Sequence, residues 1–247
     1  NNAASSGLIS PSTGDQLFGH LGEVVIAGAA GRDLESIESS EVTLVTVLLD
    51  MSSSIGSYGL SQAVRDGYSL LVDSLCCSQE RENIMLSLWL FNHEQNLVHS
   101  YVPVGEADPL NSRNYRPAGG TALYDTWCDA LAANVAYAQQ LRDNGTPCRS
   151  VVVMISDGED TSSHRPATDC EAISKDLLRS EQFVLAFVGV GTAVDFRRVA
   201  ASMGVPKDSI LVQDNADQSG LREVFQVVSQ SAIYVSQSAT TGGGFFH

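Results

Sequence analysis

Three apolar runs constrain the fold of this chain more than any other feature of its sequence. They cover residues 42–49, 150–155 and 183–188, and they are rich in β-branched side chains. Because neither face of these runs is consistently polar, each is expected to be a strand covered on both sides, as in a parallel sheet. The amphipathic stretches between them predict a doubly wound, mostly parallel, Rossmann-like α/β fold with helices on both faces.

The spacing of apolar residues predicts the helices that connect these strands. They are expected over 59–77, 122–142, 166–179, 194–202 and 218–234, with one further short strand over 209–212. The first two should bury stripes with helical spacing, namely Leu60, Val64, Tyr68, Leu71 and Leu75, then Leu123, Trp127, Leu131, Val135 and Ala138. Gly67 lies within the first helix, where glycine costs about 1 kcal/mol relative to alanine, and it therefore predicts a close packing contact.

A hairpin is expected between the first two predicted helices, 59–77 and 122–142. The apolar segments 84–91 and 97–104 flank the polar residues 92–96, and a connection of this length is typical of antiparallel strands. Pro103 cannot donate a ladder hydrogen bond, which places the second strand at an edge of the sheet. One antiparallel edge strand is therefore predicted.

Both ends of the chain differ in composition from its centre. Residues 1–40 are rich in Ser, Gly, Ala and Asn, and they are interpreted as a loose N-terminal extension, with 24–26 as a candidate edge strand. Residues 41–234 form the predicted domain, and 235–247 a Gly/Ser/Thr-rich tail that ends in two phenylalanines before His247. The apolar runs are all shorter than the ~20 residues that span a bilayer.

Charge and cysteine content restrict the partners and the compartment. The formal net charge is −15, and the 14 Lys and Arg residues are scattered, which argues against a nucleic-acid partner. The five cysteines are an odd number without CxxC spacing, which predicts free thiols in a reducing, cytoplasmic setting rather than a disulfide framework.

Oxygen-bearing side chains follow the buried strands at three separate places in the chain. Asp50, Ser52 and Ser54 come directly after the first run, Asp157 follows the second, and Thr121 precedes a predicted helix. In a doubly wound sheet these loops meet beyond the carboxyl ends of the strands, where the strand order reverses. Two carboxylates balance one divalent cation, and hydroxyls add ligands without charge, so the sequence predicts a site for Mg²⁺ (or Mn²⁺).

Other sites built on similar residues do not match. An EF-hand loop starting at Asp50 would need Gly and an acidic residue where Ile55 and Ser61 stand. The chain has no P-loop lysine motif, and the Gly-rich turn at 189–194 has Val in place of the third dinucleotide-binding glycine. Without a recognisable nucleophile or general base, the chain is predicted not to be an enzyme.

The ordered motifs resemble those of the von Willebrand factor A (vWA) domain over residues 41–234. They are Asp50-x-Ser52-x-Ser54, Gly119-Gly120-Thr121-Ala122-Leu123 and Ile155-Ser156-Asp157-Gly158. The resemblance implies a metal-ion-dependent adhesion site (MIDAS) with Mg²⁺ (or Mn²⁺) bound directly by Ser52 and Ser54. It implies direct ligation by Thr121 in a high-affinity state, and by Asp50 and Asp157 directly or through water. Met51 and Ser53 stand where the family often has Gly, so the loop conformation is left open.

The resemblance also implies a non-enzymatic protein–protein interaction module. A partner would present Asp or Glu to the metal, and a rearrangement of Thr121 would be coupled to movement of the last helix. Intracellular members of the family suggest a subunit or adaptor of a larger assembly, including one driven by an AAA+ ATPase. No nucleic-acid partner and no membrane span are expected. Two alternatives stay open, a Mg²⁺-dependent phosphohydrolase and a scaffold with an unused metal site. Glu159 and Asp160 are interpreted as a solvated rim of the site.

Overall fold

The structure is a computed structural model that describes residues 8–19, 22–37, 39, 41–238 and 244–246. The strands are β1 Val42–Asp50, β2 Ile84–Phe91, β3 Gln95–Pro103, β4 Cys148–Ser156, β5 Phe183–Val190 and β6 Ile210–Gln213. The helices are α1 Pro11–Phe18, α2 Glu23–Gly28, α3 Ser53–Ser57, α4 Ser61–Cys76, α5 Leu123–Asp143, α6 Ala167–Leu178, α7 Phe196–Ser202 and α8 Gln218–Gln237. Short 3₁₀ turns cover Leu34–Ser36, Arg81–Asn83, Val104–Glu106 and Lys207–Ser209.

The described strands form one mixed sheet in the order β3-β2-β1-β4-β5-β6. All neighbouring pairs are parallel except β2 and β3, which are antiparallel, so β3 is the antiparallel edge strand that the hairpin predicts. The predicted α/β fold is therefore confirmed. β1 and β4 lie side by side at the point where the chain order reverses, and their carboxyl ends open towards the same crevice.

Helices cover both faces of the sheet. On one face, α4 and α8 pack over a core that contains all five residues of the predicted α4 stripe. A β-carbon added to Gly67 of α4 would lie 2.1 Å from Cδ2 of Phe225 in α8, which confirms the close contact predicted for this glycine. On the other face, α5, α6 and α7 bury a second core, which includes four of the five predicted α5 residues.

The N-terminal segment differs from the prediction. Residues 24–26 lie within the helix α2 rather than in an edge strand, so that expectation is wrong. Leu17 of α1 and Val25 of α2 are each 2% exposed and belong to the second core, together with Trp89. A β-carbon on Gly28 would lie 2.4 Å from Cζ2 of Trp89. The three-residue apolar run is therefore buried on one helical side only, and the described part of this segment is packed rather than loose.

The C-terminal segment also makes contacts with the domain. Helix α8 continues to Gln237, beyond the predicted end of the domain. Phe245 is 1% exposed, lies in the α4–α8 core, and donates its backbone N–H to Ser209 Oγ at 3.0 Å. The division of the chain into extension, domain and tail stays a prediction, but described residues from both ends complete the two cores. Among the described residues, no helix combines the length and apolar character that a bilayer-spanning segment needs.

Replacing Leu17 by alanine should destabilise the protein by about 2–4 kcal/mol, since a buried leucine would leave a cavity. Ile26 is the matched control because it lies in the same segment but is 59% exposed. Ile26→Ala should change the free energy of unfolding by less than about 0.5 kcal/mol. Urea denaturation measures both. Equal, small effects would mean that α1 does not contribute to the core in solution.

Candidate metal site

Asp50 is held rigidly at the carboxyl end of β1. Its side chain is buried and accepts hydrogen bonds from the backbone N–H of Ser52 at 2.8 Å and from Ser156 Oγ at 2.5 Å. The hydroxyl of Tyr115 donates to the backbone carbonyl of Asp50 at 2.6 Å. Because Ser156 ends β4, the neighbouring strand orients this carboxylate.

The two loop serines face the second carboxylate. Ser52 Oγ and Ser54 Oγ are 2.9 Å apart, and Ser54 Oγ donates to Asp157 Oδ1 at 2.8 Å. Ser52 Oγ lies 3.5 Å from the same oxygen. Three side chains from loops that are about a hundred residues apart in the chain are thus within hydrogen-bonding distance of one another.

One oxygen of Asp157 has no hydrogen-bond partner among the residues that the structure describes. Asp157 is 7% exposed, and its Oδ2 is a buried atom without a hydrogen-bond partner in the described part of the chain. A buried carboxylate oxygen left without a donor is costly. A cation placed beside Asp157, Ser52 and Ser54 would satisfy this oxygen, and the set consists of the hard oxygen ligands that Mg²⁺ and Mn²⁺ accept.

Thr121 lies on the adjoining loop. It is 4% exposed, its backbone N–H donates to Thr161 Oγ1 at 2.8 Å, and its carbonyl accepts from the N–H of Thr161 at 2.8 Å. A β-carbon built on Gly158 would lie 3.6 Å from Thr121 Oγ1, which places this hydroxyl next to the Asp157 loop. The structure therefore brings all five predicted residues to one edge of the sheet. Their binding of a metal stays a prediction.

Tight packing explains the glycine pair that precedes Thr121. Gly119 has a φ of +77°, and a β-carbon on it would lie 2.2 Å from His93 Nδ1. A β-carbon on Gly120 would lie 2.4 Å from Ser162 Oγ. The Gly119 carbonyl accepts a hydrogen bond from the N–H of Ser53, so the loop is fastened directly to the Asp50 loop. Larger residues would displace Thr121 from this position.

The sequence suggested that Asp160 lies on a solvated rim of the site, but the structure shows it bonded to the start of α5. Its carboxylate accepts hydrogen bonds from the backbone N–H of Leu123, at 2.8 Å, and from the hydroxyl of Ser163. It thereby caps the first turn of α5, directly after the Thr121 loop. Glu159 is exposed and lies 3.4 Å from Arg198, in agreement with the rim interpretation. The capping of α5 by a loop that follows β4 has no signal in the local sequence around α5.

Burial raises the proton affinity of both carboxylates. Desolvation raises the pKa of Asp50 to about 6, although hydrogen bonds from Ser156 and Ser52 oppose the shift, and the negative charge of Asp157 adds to it. Burial also raises the pKa of Asp157, against a hydrogen bond from Ser54. A divalent cation would favour the ionised form of both groups.

The site relies on hydroxyls as much as on carboxylates. Among the described residues, no three His, Cys, Asp or Glu side chains gather in an arrangement that could hold a metal ion. The two carboxylates of the candidate site are supplemented only by Ser and Thr oxygens. This donor set provides a total charge of −2, which one divalent cation neutralises.

Solved structures with the same architecture were found by comparison of the fold. Proximal thread matrix protein 1 (PTMP1) from the mussel byssus has a TM-score of 0.52 and 17% identity, over 78% of this chain and 47% of that chain. A von Willebrand factor type A structure from Catenulispora acidiphila has a TM-score of 0.54 and 14% identity, over 78% of this chain and 43% of that one. This chain has the fold of a vWA domain.

Two further solved structures are similar to this chain in fold. Another structure of PTMP1, with a TM-score of 0.52 and 17% identity over 80% of this chain and 47% of that one, has a zinc-occupied MIDAS motif. The pilus adhesin SpaC from Lactobacillus rhamnosus GG has a TM-score of 0.57 and 14% identity over 79% of this chain and 30% of that one. The chain thus spans less than half the length of these proteins. No protein-family model and no curated protein matches it.

Proposed function

We propose that this vWA-fold chain is a metal-dependent protein-interaction module that uses Asp50, Ser52, Ser54, Thr121 and Asp157 as a MIDAS for Mg²⁺ (or Mn²⁺). One observation carries the proposal. The buried Oδ2 of Asp157 has no hydrogen-bond partner among the described residues, while Oδ1 of the same carboxylate faces the two serine hydroxyls. A structural turn would satisfy this oxygen with a donor from the protein. A cation site leaves it free for the ion.

Each residue has a separate task in the proposed site. Ser52 and Ser54 would bind the cation through Oγ, and Asp50 and Asp157 would bind it directly or through water. Thr121 would contribute Oγ1 when its loop allows direct contact. A bound Mg²⁺ supplies a Lewis-acidic position that accepts an anionic oxygen. The partner is proposed to present an Asp or Glu carboxylate to that position.

The neighbours support a role in adhesion or assembly. One is a pilus adhesin, and another is a byssal matrix protein with a metal-occupied MIDAS. A protein-binding role without catalysis is therefore proposed for this chain too. The phosphohydrolase alternative would need a second aspartate where Ser52 stands, and Ser52 Oγ is already within hydrogen-bonding distance of Ser54 Oγ. An AAA+ ATPase partner and a cytoplasmic location stay predictions, which the byssal and pilus neighbours do not support.

A binding experiment with defined peptides tests the proposed function. The full chain is screened against an array of acidic peptides in Mg²⁺ and again with chelator. Each peptide that binds is paired with a copy in which Asp and Glu are replaced by Asn and Gln. We expect the affinity for the peptide to fall by at least about tenfold in three cases: with chelator, with the amide copy of the peptide, and in the Asp50→Ala variant.

Three results would contradict the proposal. Equal binding in Mg²⁺ and in chelator would show that the metal does not mediate recognition. Release of phosphate from p-nitrophenyl phosphate that depends on both Mg²⁺ and Asp50 would instead favour the phosphohydrolase. If the chain binds neither Mg²⁺ nor Mn²⁺ in calorimetry, the scaffold with an unused site is the better description.

A further inference from the structure

Two buried cysteines face each other between helices α5 and α6. Cys128 lies in the second turn of α5 and Cys170 in the first turn of α6, and they are 1% and 0% exposed. Their sulfur atoms are 3.4 Å apart. Cys170 Sγ is also 3.5 Å from the carbonyl oxygen of Tyr124. The two thiols are thus in van der Waals contact in the core, although 42 positions separate them along the chain.

Hydrogen bonds on both sides of this pair hold the helices in register. Trp127 Nε1 donates to Ser174 Oγ at 2.9 Å, one turn along α6 from Cys170. At the other side, the N–H of Arg165 donates to Asp125 Oδ1 at 2.9 Å. These bonds join residues within five positions of one or the other cysteine, and both cysteines are buried. The fold therefore brings the sulfur atoms together.

We propose that Cys128 and Cys170 form a disulfide when this chain folds under oxidising conditions. A disulfide has a sulfur–sulfur distance of about 2.05 Å, so the two sulfur atoms must approach by about 1.4 Å from their separation of 3.4 Å. The expectation of free thiols throughout the chain would then hold only under reducing conditions. This inference does not depend on metal binding or on the proposed function.

Exchange with glutathione disulfide describes the chemistry. The thiolate of one cysteine attacks glutathione disulfide, forming a mixed disulfide and releasing one glutathione thiolate. The second cysteine thiolate attacks the protein sulfur of the mixed disulfide and releases the second glutathione. The two cysteines together lose two protons and two electrons, and the oxidant is reduced to two glutathione molecules. Burial raises the pKa of Cys170 in the folded protein, so exchange should occur while the helices are still assembling.

Peptide mapping after refolding tests the inference. The reduced, unfolded full chain is refolded in an oxidising glutathione buffer, its remaining thiols are blocked, and it is digested with trypsin without reduction. We expect one linked species that joins peptide 114–142 to peptide 150–175 and disappears on reduction. The variant in which Cys76, Cys77 and Cys148 are replaced by Ser retains only the proposed pair and should give the same species.

Thermal stability provides the second readout. The oxidised protein should melt about 10 °C above the reduced protein, because the bond closes a loop of about 40 residues. Variants with Cys128→Ala and Cys170→Ala should show no such redox dependence, whereas Cys148→Ala should retain it. Absence of the linked species, a bond to Cys76 or Cys77 instead, or equal melting of both forms would overturn the proposal. If the alanine variants fail to fold, mapping of the unmodified chain decides.

Discussion

Asp50→Asn is expected to weaken Mg²⁺ and Mn²⁺ binding by at least about 100-fold, as measured by isothermal titration calorimetry. Asparagine has nearly the same shape, and its oxygen can still accept the hydrogen bond from the N–H of Ser52. The substitution removes half of the negative charge that the site offers to a cation. Replacing a residue that only hydrogen-bonds to a metal ligand typically costs about 10–100-fold in metal affinity, so the loss of a charged ligand should cost at least as much.

The same variant should be more stable than the unmodified chain when metal is absent. The pKa of Asp50 is raised by burial to about 6 in the folded protein, from an ordinary value of 3.8. Between these values the folded state binds more protons than the unfolded state, so the Asp50 contribution to stability is lost as the pH rises through this window. At pH 7, Asp50→Asn should gain about 3 kcal/mol, and the gain should vanish below about pH 4.

Asp129 offers the matched control. Burial raises its pKa to about 6, against the opposing charge of Arg165, but it lies on α5 outside the site. Asp129→Asn should therefore show a similar pH-dependent gain in urea denaturation and keep its metal affinity. Metal binding by the Asp50 variant at the affinity of the unmodified chain would contradict the proposed site. Equal loss of affinity in both variants would point to a general change in structure.

Phe225→Ala should destabilise the protein by about 3–5 kcal/mol, since its ring is fully buried between α4 and α8. Gly67→Ala should cost about 1–3 kcal/mol, because the added methyl group would collide with the same ring. In the double variant, the methyl group would occupy part of the space that the ring has vacated. Its effect should therefore be smaller than the sum of the two by more than about 0.5 kcal/mol.

Denaturation in urea measures this cycle, and Ser69→Ala on the exposed side of α4 is its control, expected within about 0.5 kcal/mol. Additive effects at positions 67 and 225 would show that the helices separate or shift to accept the methyl group. A stabilising Gly67→Ala would show that helix propensity outweighs the contact between the two helices.

The sheet could be predicted from the sequence because its signals are local. Residues 42–49 are apolar on both faces, and the resulting strand β1 is buried along its whole length. Gly67 could be interpreted for the same reason, since a glycine within a regular helix predicts a close neighbour. The identity of that neighbour, Phe225, required the structure, because it lies on a helix far along the chain.

The N-terminal segment shows why a local pattern can mislead. Ser10 accepts a hydrogen bond from the N–H of Thr13 and precedes Pro11 at the first position of α1, which is a recognisable helix start. The prediction of a loose extension was based on composition and did not use this signal. The following apolar run, 24–26, is too short for its periodicity to distinguish a strand from a helix.

The sequence by itself determined the fold class and the candidate ligands, since the period of apolar residues selects strand or helix and the ligands follow the strands directly. Only the tertiary structure decided which of these groups lack partners. Among the described residues, Oδ2 of Asp157 has no hydrogen-bond partner. The capping of α5 by Asp160 and the contact between Cys128 and Cys170 join residues that are far apart in the chain. Such contacts depend on how helices and loops pack over the sheet, and a local sequence pattern does not specify which distant residues will meet.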